Sequence, residues 1–456
     1  MDRPGQEAEL TMSLWNAKTF AHGVHPPQAK DDTRSLPIRQ FPFAPVLVIP
    51  LALQVGRPSK PIVKAGQEVV RGQRIAEPDG CLSIAMHSPA SGMVRQIGLA
   101  PSISGKMNPA IFIEPFAASS QEMLTGQPCE LETATAGEIV AAIQAAGLVG
   151  LGGAGFPTHA KLQLPPDNRI DTLLINGAEC EPYLTTDHRV MLEQPRDIVT
   201  GIRYLLKASG AATAVIAIEA NKPDAAAAVR QALPAELPIR VEILQVKYPQ
   251  GAEKMLIEAV LAREVPSRGL PSDVGVLCFN VASTAEIGRL LPRGEGLVDR
   301  VVTVGGPAVK KKGNYRVPLG TPLRFLLESV ETADDVTAVF LGGPMMGQAV
   351  SSLDIPIGKG TTGVIALGPA ETGRLLAVPE YPCIRCGYCL DACPIFLNPS
   401  QLGLLAARGE FHAMAESHHL FDCFECGCCT YVCPSHIPLV QRFRIAKAAV
   451  RKTGPT

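Results

Sequence analysis

The sequence carries almost no net charge and contains no long apolar run. Its 42 Lys and Arg residues nearly balance 43 Asp and Glu residues, which gives a net charge of −1. Binding to the phosphate backbone of nucleic acid needs a basic surface, so no nucleic-acid partner is expected. Mean hydropathy is high, at +0.16, yet no uninterrupted apolar run reaches the ~18 residues of a membrane-spanning helix. We therefore expect a soluble or peripheral protein.

The chain also shows no apolar signal peptide and no framework of paired cysteines outside its C-terminal region. Four cysteines are scattered without pairing logic, namely Cys81, Cys129, Cys180 and Cys278. These features argue against a disulfide scaffold and indicate a reducing cytoplasm. The 456 residues exceed the ~250–300 at which a single core stops growing, so several domains are expected.

One cysteine pattern does occur twice near the C-terminus. Both copies read C-x2-C-x2-C-x3-C-P, starting at Cys383 and at Cys423. This spacing is the bacterial ferredoxin signature for [4Fe-4S] clusters, in which the fourth cysteine of each copy binds the other cluster. We therefore assign two crossed ligand sets: Cys383, Cys386, Cys389 and Cys433 for cluster 1, and Cys393, Cys423, Cys426 and Cys429 for cluster 2.

A pair of structural zinc sites is the alternative interpretation, because four thiolates also bind tetrahedral zinc. Zinc has no use for the evenly spaced third cysteine or for the C-x3-C-P ending, so the pattern favours iron-sulfur clusters. Cys428 lies beside Cys429 but outside the spacing, and it has no predicted role as a ligand.

The N-terminal third predicts an arm and a small β domain. Residues 1–40 lack hydrophobic periodicity and indicate an extended arm. Residues 41–118 contain short strands separated by glycine turns, and VKAGQEVVRGQ and SPASGMV resemble the barrel-sandwich hybrid of lipoyl and biotinyl carriers. The stretch that would present the modified lysine, residues 84–89, reads IAMHSP and has no lysine. We expect a lipoyl-like domain that packs or docks without carrying a covalent group.

The rest of the chain predicts three further domains, so the whole is a multidomain α/β and β protein. Residues 130–295 alternate apolar strands with amphipathic helices, which is typical of a Rossmann-like, doubly wound α/β domain. Residues 299–350 indicate a β-grasp unit of SLBB type. Residues 363–382 are expected to form a linker. Residues 375–445 should form a helical two-cluster ferredoxin domain, with one helix over LGLLAARGEFHAMAESHHL between the two motifs.

The α/β region contains a glycine-rich loop, G-L-G-G-A-G-F-P, with glycines at 150, 152, 153 and 155. Gly150, Gly152, Gly153 and Gly155 allow backbone N–H groups to approach a phosphate, and Lys161 can neutralise it. Such a loop alone is weak evidence. Three further polar segments follow predicted strands, N-G-A-E-C-E-P-Y from Asn176, Y-P-Q-G-A-E-K from Tyr248, and N-V-A-S from Asn280. Together they could line one nucleotide site.

These segments resemble the FMN- and NADH-binding segments of the flavoprotein subunit of respiratory complex I. The order of the domains resembles the C subunit of the Rnf (Rsx) family of ion-translocating oxidoreductases over about residues 41–438. The resemblance implies noncovalent FMN surrounded by Gly152, Gly153, Lys161, Asn176, Glu179, Tyr248 and Asn280. It implies contacts to NADH from Phe156, Lys161, Glu181 and Glu253, with the Phe156 ring facing the adenine.

The expected function is therefore that of an electron-input subunit in a membrane complex. A hydride carries two electrons and a cubane accepts one, so a flavin must stand between NADH and the clusters. The resemblance implies other Rnf-type subunits as partners, including a ferredoxin-like iron-sulfur subunit. It further implies ferredoxin or flavodoxin as an indirect redox partner, and a peripheral position on the cytoplasmic face of the bacterial inner membrane. An iron-sulfur relay protein and a docking scaffold, both without a nucleotide site, are the competing hypotheses.

Overall fold

The computed structural model describes residues 17–53, 55–165, 168–376 and 378–453, so residues 1–16 of the predicted arm lie outside the described residues. The strands are β1 (Ile38–Gln40), β2 (Leu47–Pro50), β3 (Lys60–Pro61), β4 (Glu68–Val69), β5 (Arg74–Glu77), β6 (Met86–His87), β7 (Gly92–Pro101), β8 (Met107–Pro115), β9 (Thr172–Gly177), β10 (Thr213–Glu219), β11 (Ile239–Leu244), β12 (Val276–Asn280), β13 (Asp299–Gly305), β14 (Gly313–Pro318), β15 (Ala338–Leu341), β16 (Gln348–Ala349) and β17 (Gly363–Leu367). The α-helices are α1 (Ala136–Ala145), α2 (Thr158–Leu162), α3 (Thr186–Glu193), α4 (Pro195–Ser209), α5 (Pro223–Ala232), α6 (Glu253–Leu261), α7 (Val281–Leu290), α8 (Leu323–Ser329), α9 (Pro369–Leu376), α10 (Tyr388–Asp391), α11 (Pro399–Ala407), α12 (Phe411–Ser417), α13 (Cys428–Tyr431) and α14 (Leu439–Thr453).

The first domain consists of two small antiparallel sheets, ordered β2-β8-β7-β4 and β3-β5-β6. The stretch that carries the lysine in lipoyl-type domains is buried here at a domain junction. Ala85 is fully buried, and its carbonyl accepts a hydrogen bond from the Lys359 ammonium at 3.2 Å. A Cβ on Gly296 would lie 2.2 Å from the His87 ring, so the chain packs directly against this stretch. Its position fits packing between domains.

The second domain has a parallel sheet with the order β11-β10-β9-β12. Strands β9, β10 and β12 are almost continuously buried, as expected of a parallel sheet covered on both faces. Helices α4 and α7 cross at two glycines. A Cβ on Gly201 would lie 1.9 Å from the Thr284 carbonyl oxygen, and one on Gly288 would lie 2.0 Å from that of Asp197. This close crossing fixes the position of α7, whose first turn borders the functional site.

The third domain is a sheet with the order β1-β14-β13-β17-β15-β16, against which α8 packs. It extends beyond the expected bounds of 299–350. The interpretation of residues 363–382 as a linker was wrong for their first part, because β17 is a fully buried strand between β13 and β15. The predicted arm contributes an edge strand, since β1 pairs with β14 in parallel.

The C-terminal domain is helical and packs α11 and α12 against α14, around Leu402, Met414 and Phe443. The expectation of one continuous helix between the cysteine motifs was wrong. The chain instead breaks between α11 and α12 at Gly409, whose φ of +73° does not continue an α-helix. Across the described ranges, the structure contains no helix long and apolar enough to cross a membrane.

Candidate functional site

The sheet order places the candidate site at the carboxyl ends of β9 and β12. The chain runs from β9 outward to β10 and β11 on one side and returns with β12 on the other, and such a switch point opens a crevice for ligands. Asn280 is the last residue of β12, Asn176 is the next-to-last residue of β9, and the two are register partners. Asn280 caps α7 by accepting from the N–H of Ala282 at 3.0 Å and of Ser283 at 3.3 Å. Asn176 donates to the Gly251 carbonyl at 2.8 Å.

The glycine-rich loop lies against this crevice. Its ends are closed by a bridge between Val149 and Pro157, and a Cβ on Gly152 would lie 3.2 Å from the Asn280 side chain. Gly153 has a φ of +106°, a conformation that side chains other than glycine rarely adopt. Within the described part of the chain, the N–H groups of Gly152, Gly153 and Ala154 donate to no protein acceptor. Three consecutive free donors beside a helix N-terminus suit an anion such as a phosphate.

Lys161 and Glu253 lie together at the same crevice. The Lys161 ammonium donates to a Glu253 carboxylate oxygen at 3.2 Å and to the Cys278 carbonyl at 3.0 Å. The side chains are 29% and 38% exposed, respectively. Phe156, at the end of the glycine loop, is half-buried. The structure thus brings together the glycine loop, Asn176, Asn280, Lys161 and Glu253.

The Glu179 and Glu181 carboxylates accept hydrogen bonds from other parts of the protein in this structure. The buried Glu179 carboxylate caps α3, accepting from the Thr186 hydroxyl at 3.0 Å and the Asp187 N–H at 2.9 Å. The Glu181 carboxylate accepts from the N–H groups of Met345 and Met346, at 3.1 and 2.8 Å, in the G-G-P-M-M-G loop of the third domain. Burial raises the pKa of Glu181. Both carboxylates therefore already have hydrogen-bond partners within the protein.

Tyr248 connects the α/β domain to the cysteine-rich domain. Its side chain is 1% exposed, and its hydroxyl donates to the Cys426 carbonyl oxygen at 2.6 Å. The same contact region buries Val24 of the arm and Ala392 and Cys428 of the cysteine motifs. The loop of the second cysteine motif is thus held directly against the domain that contains the crevice.

The four cysteines assigned to cluster 2 line one pocket with mostly apolar walls. Cys393 reaches it from the first motif, and Cys423, Cys426 and Cys429 reach it from the second. Burial raises the pKa of the Cys423 thiol to about 11, and a bound metal cation would hold this thiol as a thiolate. The donor type and the number of donors fit a [4Fe-4S] cluster.

The first motif has the matching arrangement. Burial raises the pKa of the Cys389 thiol, and the neighbouring thiols of Cys386, Cys433 and Cys383 raise it further. Cys433 of the second motif thus lies beside three cysteines of the first. In the ranges that the structure describes, no three Cys, His, Asp or Glu side chains converge closely enough to hold a single metal ion. A cubane places its thiolates around four irons, so it does not require them to converge on one point as tetrahedral zinc does.

Cys428 contributes more than the sequence indicated. It is fully buried at the wall of the cluster 2 pocket, and its thiol hydrogen-bonds to Cys426, which lowers the pKa of Cys426. Hydrogen bonds to cluster sulfurs are among the features that set cluster potential.

Three residues at the crevice were missed by the sequence analysis. The Asp187 carboxylate accepts from the Asn280 amide at 2.7 Å, and burial together with the Glu179 charge raises its pKa to about 7. The Ser283 hydroxyl accepts from the Leu151 N–H at 2.7 Å. The Arg300 guanidinium donates to the Leu151 carbonyl. Of these, Ser283 alone lay in a segment that the sequence analysis had singled out.

Family models match three parts of the chain. Residues 18–117 match the RnfC barrel sandwich hybrid domain, residues 143–289 the Nuo51 FMN-binding domain, and residues 381–437 the 4Fe-4S dicluster domain. These matches confirm the expected lipoyl-like, flavin-binding and two-cluster domains.

Curated relatives match almost the whole chain. It is 40% identical to the C subunit of the proton-translocating ferredoxin:NAD(+) oxidoreductase complex of Clostridium ljungdahlii, over 96% of this chain and 95% of that one. It is 38% identical to the C subunit of the Na(+)-translocating ferredoxin:NAD(+) oxidoreductase complex of Acetobacterium woodii, over 95% and 97%. It is 41% identical to the C subunit of the ion-translocating oxidoreductase complex of Pseudomonas aeruginosa, over 95% of this chain but 56% of that protein, so the chain spans about half its length.

Among solved structures, a chain of an NAD+-reducing [NiFe]-hydrogenase in the H2-reduced state superposes with a TM-score of 0.51 at 18% identity. The superposition covers 72% of this chain and 70% of the other. At this identity the likeness concerns the fold.

Proposed function

Because the chain belongs to the family formed by the C subunits of Rnf-type ion-translocating oxidoreductase complexes, we propose that it exchanges electrons between NADH and a membrane complex. NADH is oxidised, or NAD+ reduced, at a noncovalent FMN, and electrons pass through two [4Fe-4S] clusters. In this proposal the electron transfer between NADH and ferredoxin is coupled to ion movement by the other subunits.

The residues that would hold FMN lie at the switch-point crevice. The free N–H groups of Gly152 and Gly153 and the N-terminus of α7 would bind the phosphate, with Lys161 as counter-charge. FMN, when bound, accepts two electrons as a hydride and releases them one at a time. Phe156, Glu181 and Glu253 are proposed to face NADH, which requires Glu181 to leave its backbone partners in the third domain.

The contact between Tyr248 and Cys426 carries the proposed order of the redox centres. It holds the cluster 2 loop against the flavin domain, so cluster 2 is the one next to FMN. The cluster 1 loop lies at the surface, where Cys386 is exposed and Ile384, Tyr388 and Phe396 are 68%, 57% and 64% exposed. We assign to this face the docking of a ferredoxin-like iron-sulfur subunit, with ferredoxin or flavodoxin as the indirect redox partner.

The remaining assignments follow the same proposal. The protein would be peripheral, on the cytoplasmic face of the bacterial inner membrane.

The third domain is proposed to be a β-grasp of SLBB type, because its sheet packs against α8 and supplies the loop that binds Glu181.

Flavin content separates this proposal from a relay or docking protein without a nucleotide site. The purified protein, denatured in the dark, should release about one FMN per chain, because each chain contains one glycine loop of this type. Fluorescence of the supernatant, compared with authentic FMN, measures the yield. Absence of FMN, together with failure of the isolated chain to bind added FMN, would favour the relay hypothesis.

A further inference from the structure

Arg300 is a buried arginine at the back of the glycine-rich loop. It lies on β13 and is 3% exposed. Its Nε–H donates to the Thr361 carbonyl and one of its terminal NH2 groups donates to the Leu151 carbonyl. The other terminal nitrogen has no hydrogen-bond partner among the described residues. Arg300 therefore connects the third domain to the loop through the backbone.

The charge of Arg300 is not neutralised by a direct ion pair. Arg289 and Arg316 lie nearby and pair with Glu286 and Asp299 at 2.6 to 3.7 Å. Arg300 has no carboxylate within 4.0 Å in the described ranges. Burial lowers its pKa to about 10, although the more distant Asp187 and Glu286 charges oppose this effect. A buried cation without a direct partner is costly, and an anion bound near it would offset that cost.

The hydrogen bond from Arg300 sets the direction of one peptide. In a trans peptide the C=O and N–H bonds point in opposite directions. When Arg300 holds the Leu151 carbonyl on the buried side, the Gly152 N–H of the same peptide points toward the exposed side, where Gly152 is accessible. On the preceding peptide, the Leu151 N–H is held by the Ser283 hydroxyl at 2.7 Å. The loop is therefore fixed at the peptide that carries the free Gly152 N–H and at the peptide before it.

The same hydrogen bond also strengthens the donor. A charged group on a carbonyl oxygen polarises the peptide, and the N–H at its other end becomes a better donor. This effect matters only for a ligand that accepts from Gly152, and it is largest for an anionic acceptor.

We propose that Arg300 is a positioning residue for the flavin site: it aims and polarises the Leu151–Gly152 peptide so that the Gly152 N–H binds the phosphate of FMN. Arg300 thereby selects the phosphorylated flavin over riboflavin, which has the same ring system but no phosphate. This inference rests on the proposed function, and it assigns to the third domain a role in cofactor binding.

The test measures the affinities of FMN and riboflavin for the full chain after flavin removal, by fluorescence quenching under anaerobic conditions. The variants are Arg300→Met, Arg300→Lys and the control Arg316→Met. Arg316 lies on the neighbouring strand β14 with an 11% exposed side chain, and its ion pairs involve Glu286 and Asp299. It makes no hydrogen bond or ion pair with the glycine loop within the described ranges.

The ratio of the riboflavin Kd to the FMN Kd should fall about tenfold in Arg300→Met, as expected for loss of one charge-assisted contact to the peptide. In Arg300→Lys the ratio should lie between the values for Arg300→Met and wild type, because lysine keeps the positive charge but lacks the several N–H donors of the guanidinium group. Arg316→Met should lower the thermal stability and leave the ratio unchanged.

The inference is overturned if the ratio in Arg300→Met equals the wild-type ratio, or if Arg316→Met lowers it equally. If Arg300→Met does not fold, the same ratio is compared between Arg300→Lys and wild type, and equal ratios overturn the inference. Failure of the wild-type chain to bind FMN would instead contradict the proposed function itself.

Discussion

At the scale of single residues, Cys393 shows how local spacing and tertiary structure combine. Cys393 belongs to the first cysteine motif, but it lines the pocket formed by the cysteines of the second motif. Pro394 follows it and also lines that pocket. The crossed ligand sets remain a prediction, which follows from the spacing rule that places the fourth cysteine of each ferredoxin motif at the other cluster. Arg300 could not be predicted, since its partner Leu151 is 149 residues away in the sequence.

The crossed assignment predicts a selective loss of one cluster. Cys393→Ser should damage cluster 2 and leave cluster 1 intact, lowering the iron content from about eight atoms per chain toward about four. Iron analysis and EPR of the dithionite-reduced protein measure the loss. Cys428→Ser is the matched control, because this buried residue lies at the same pocket but outside the ligand spacing, and it should retain both clusters. Loss of the cluster at Cys383, Cys386 and Cys389 in Cys393→Ser would show that the pairing is not crossed.

At the scale of elements, the strands of the parallel sheet were predictable because their apolar runs are continuous and buried on both faces. Strand β17 was mistaken for part of a linker, although its sequence GVIAL is apolar. Its place in the sheet depends on pairing with β13 and β15, and such long-range pairing is invisible in a local pattern. The break between α11 and α12 was signalled by Gly409 and was overlooked.

The crossing of α4 and α7 gives a prediction at this scale. Gly201→Ala should destabilise the protein by about 1–3 kcal/mol, because the added methyl group collides with the Thr284 carbonyl at a buried crossing. Gly137→Ala is the matched control. Gly137 lies within α1 with open space around its Cα, so this change should be neutral or slightly stabilising. Urea denaturation followed by far-UV circular dichroism compares the two variants. Equal stability of both variants would show that the helices can move apart at no cost.

At the scale of the whole molecule, contacts between domains connect the crevice of the α/β domain to the cysteine motifs. The third domain contacts the flavin-type domain through Arg300 and through the loop that binds Glu181. The cluster domain contacts it through Tyr248. The order of domains along the chain was predictable from the motifs, whereas these contacts join residues far apart in sequence and required the structure. In the proposed function, electrons would pass from the crevice to cluster 2 and then to the exposed loop of cluster 1.

The central claim is that electrons from NADH reach the clusters only through the flavin site. The most direct measurement is anaerobic stopped-flow absorbance of the clusters after mixing with NADH, on protein with FMN bound and on the same protein with FMN removed. The cluster absorbance should bleach rapidly with FMN and not at all without it, and dithionite should bleach it fully in both samples. Bleaching by NADH at the same rate without FMN would contradict the proposed electron route. So would the absence of bleaching by NADH in FMN-loaded protein that dithionite still bleaches.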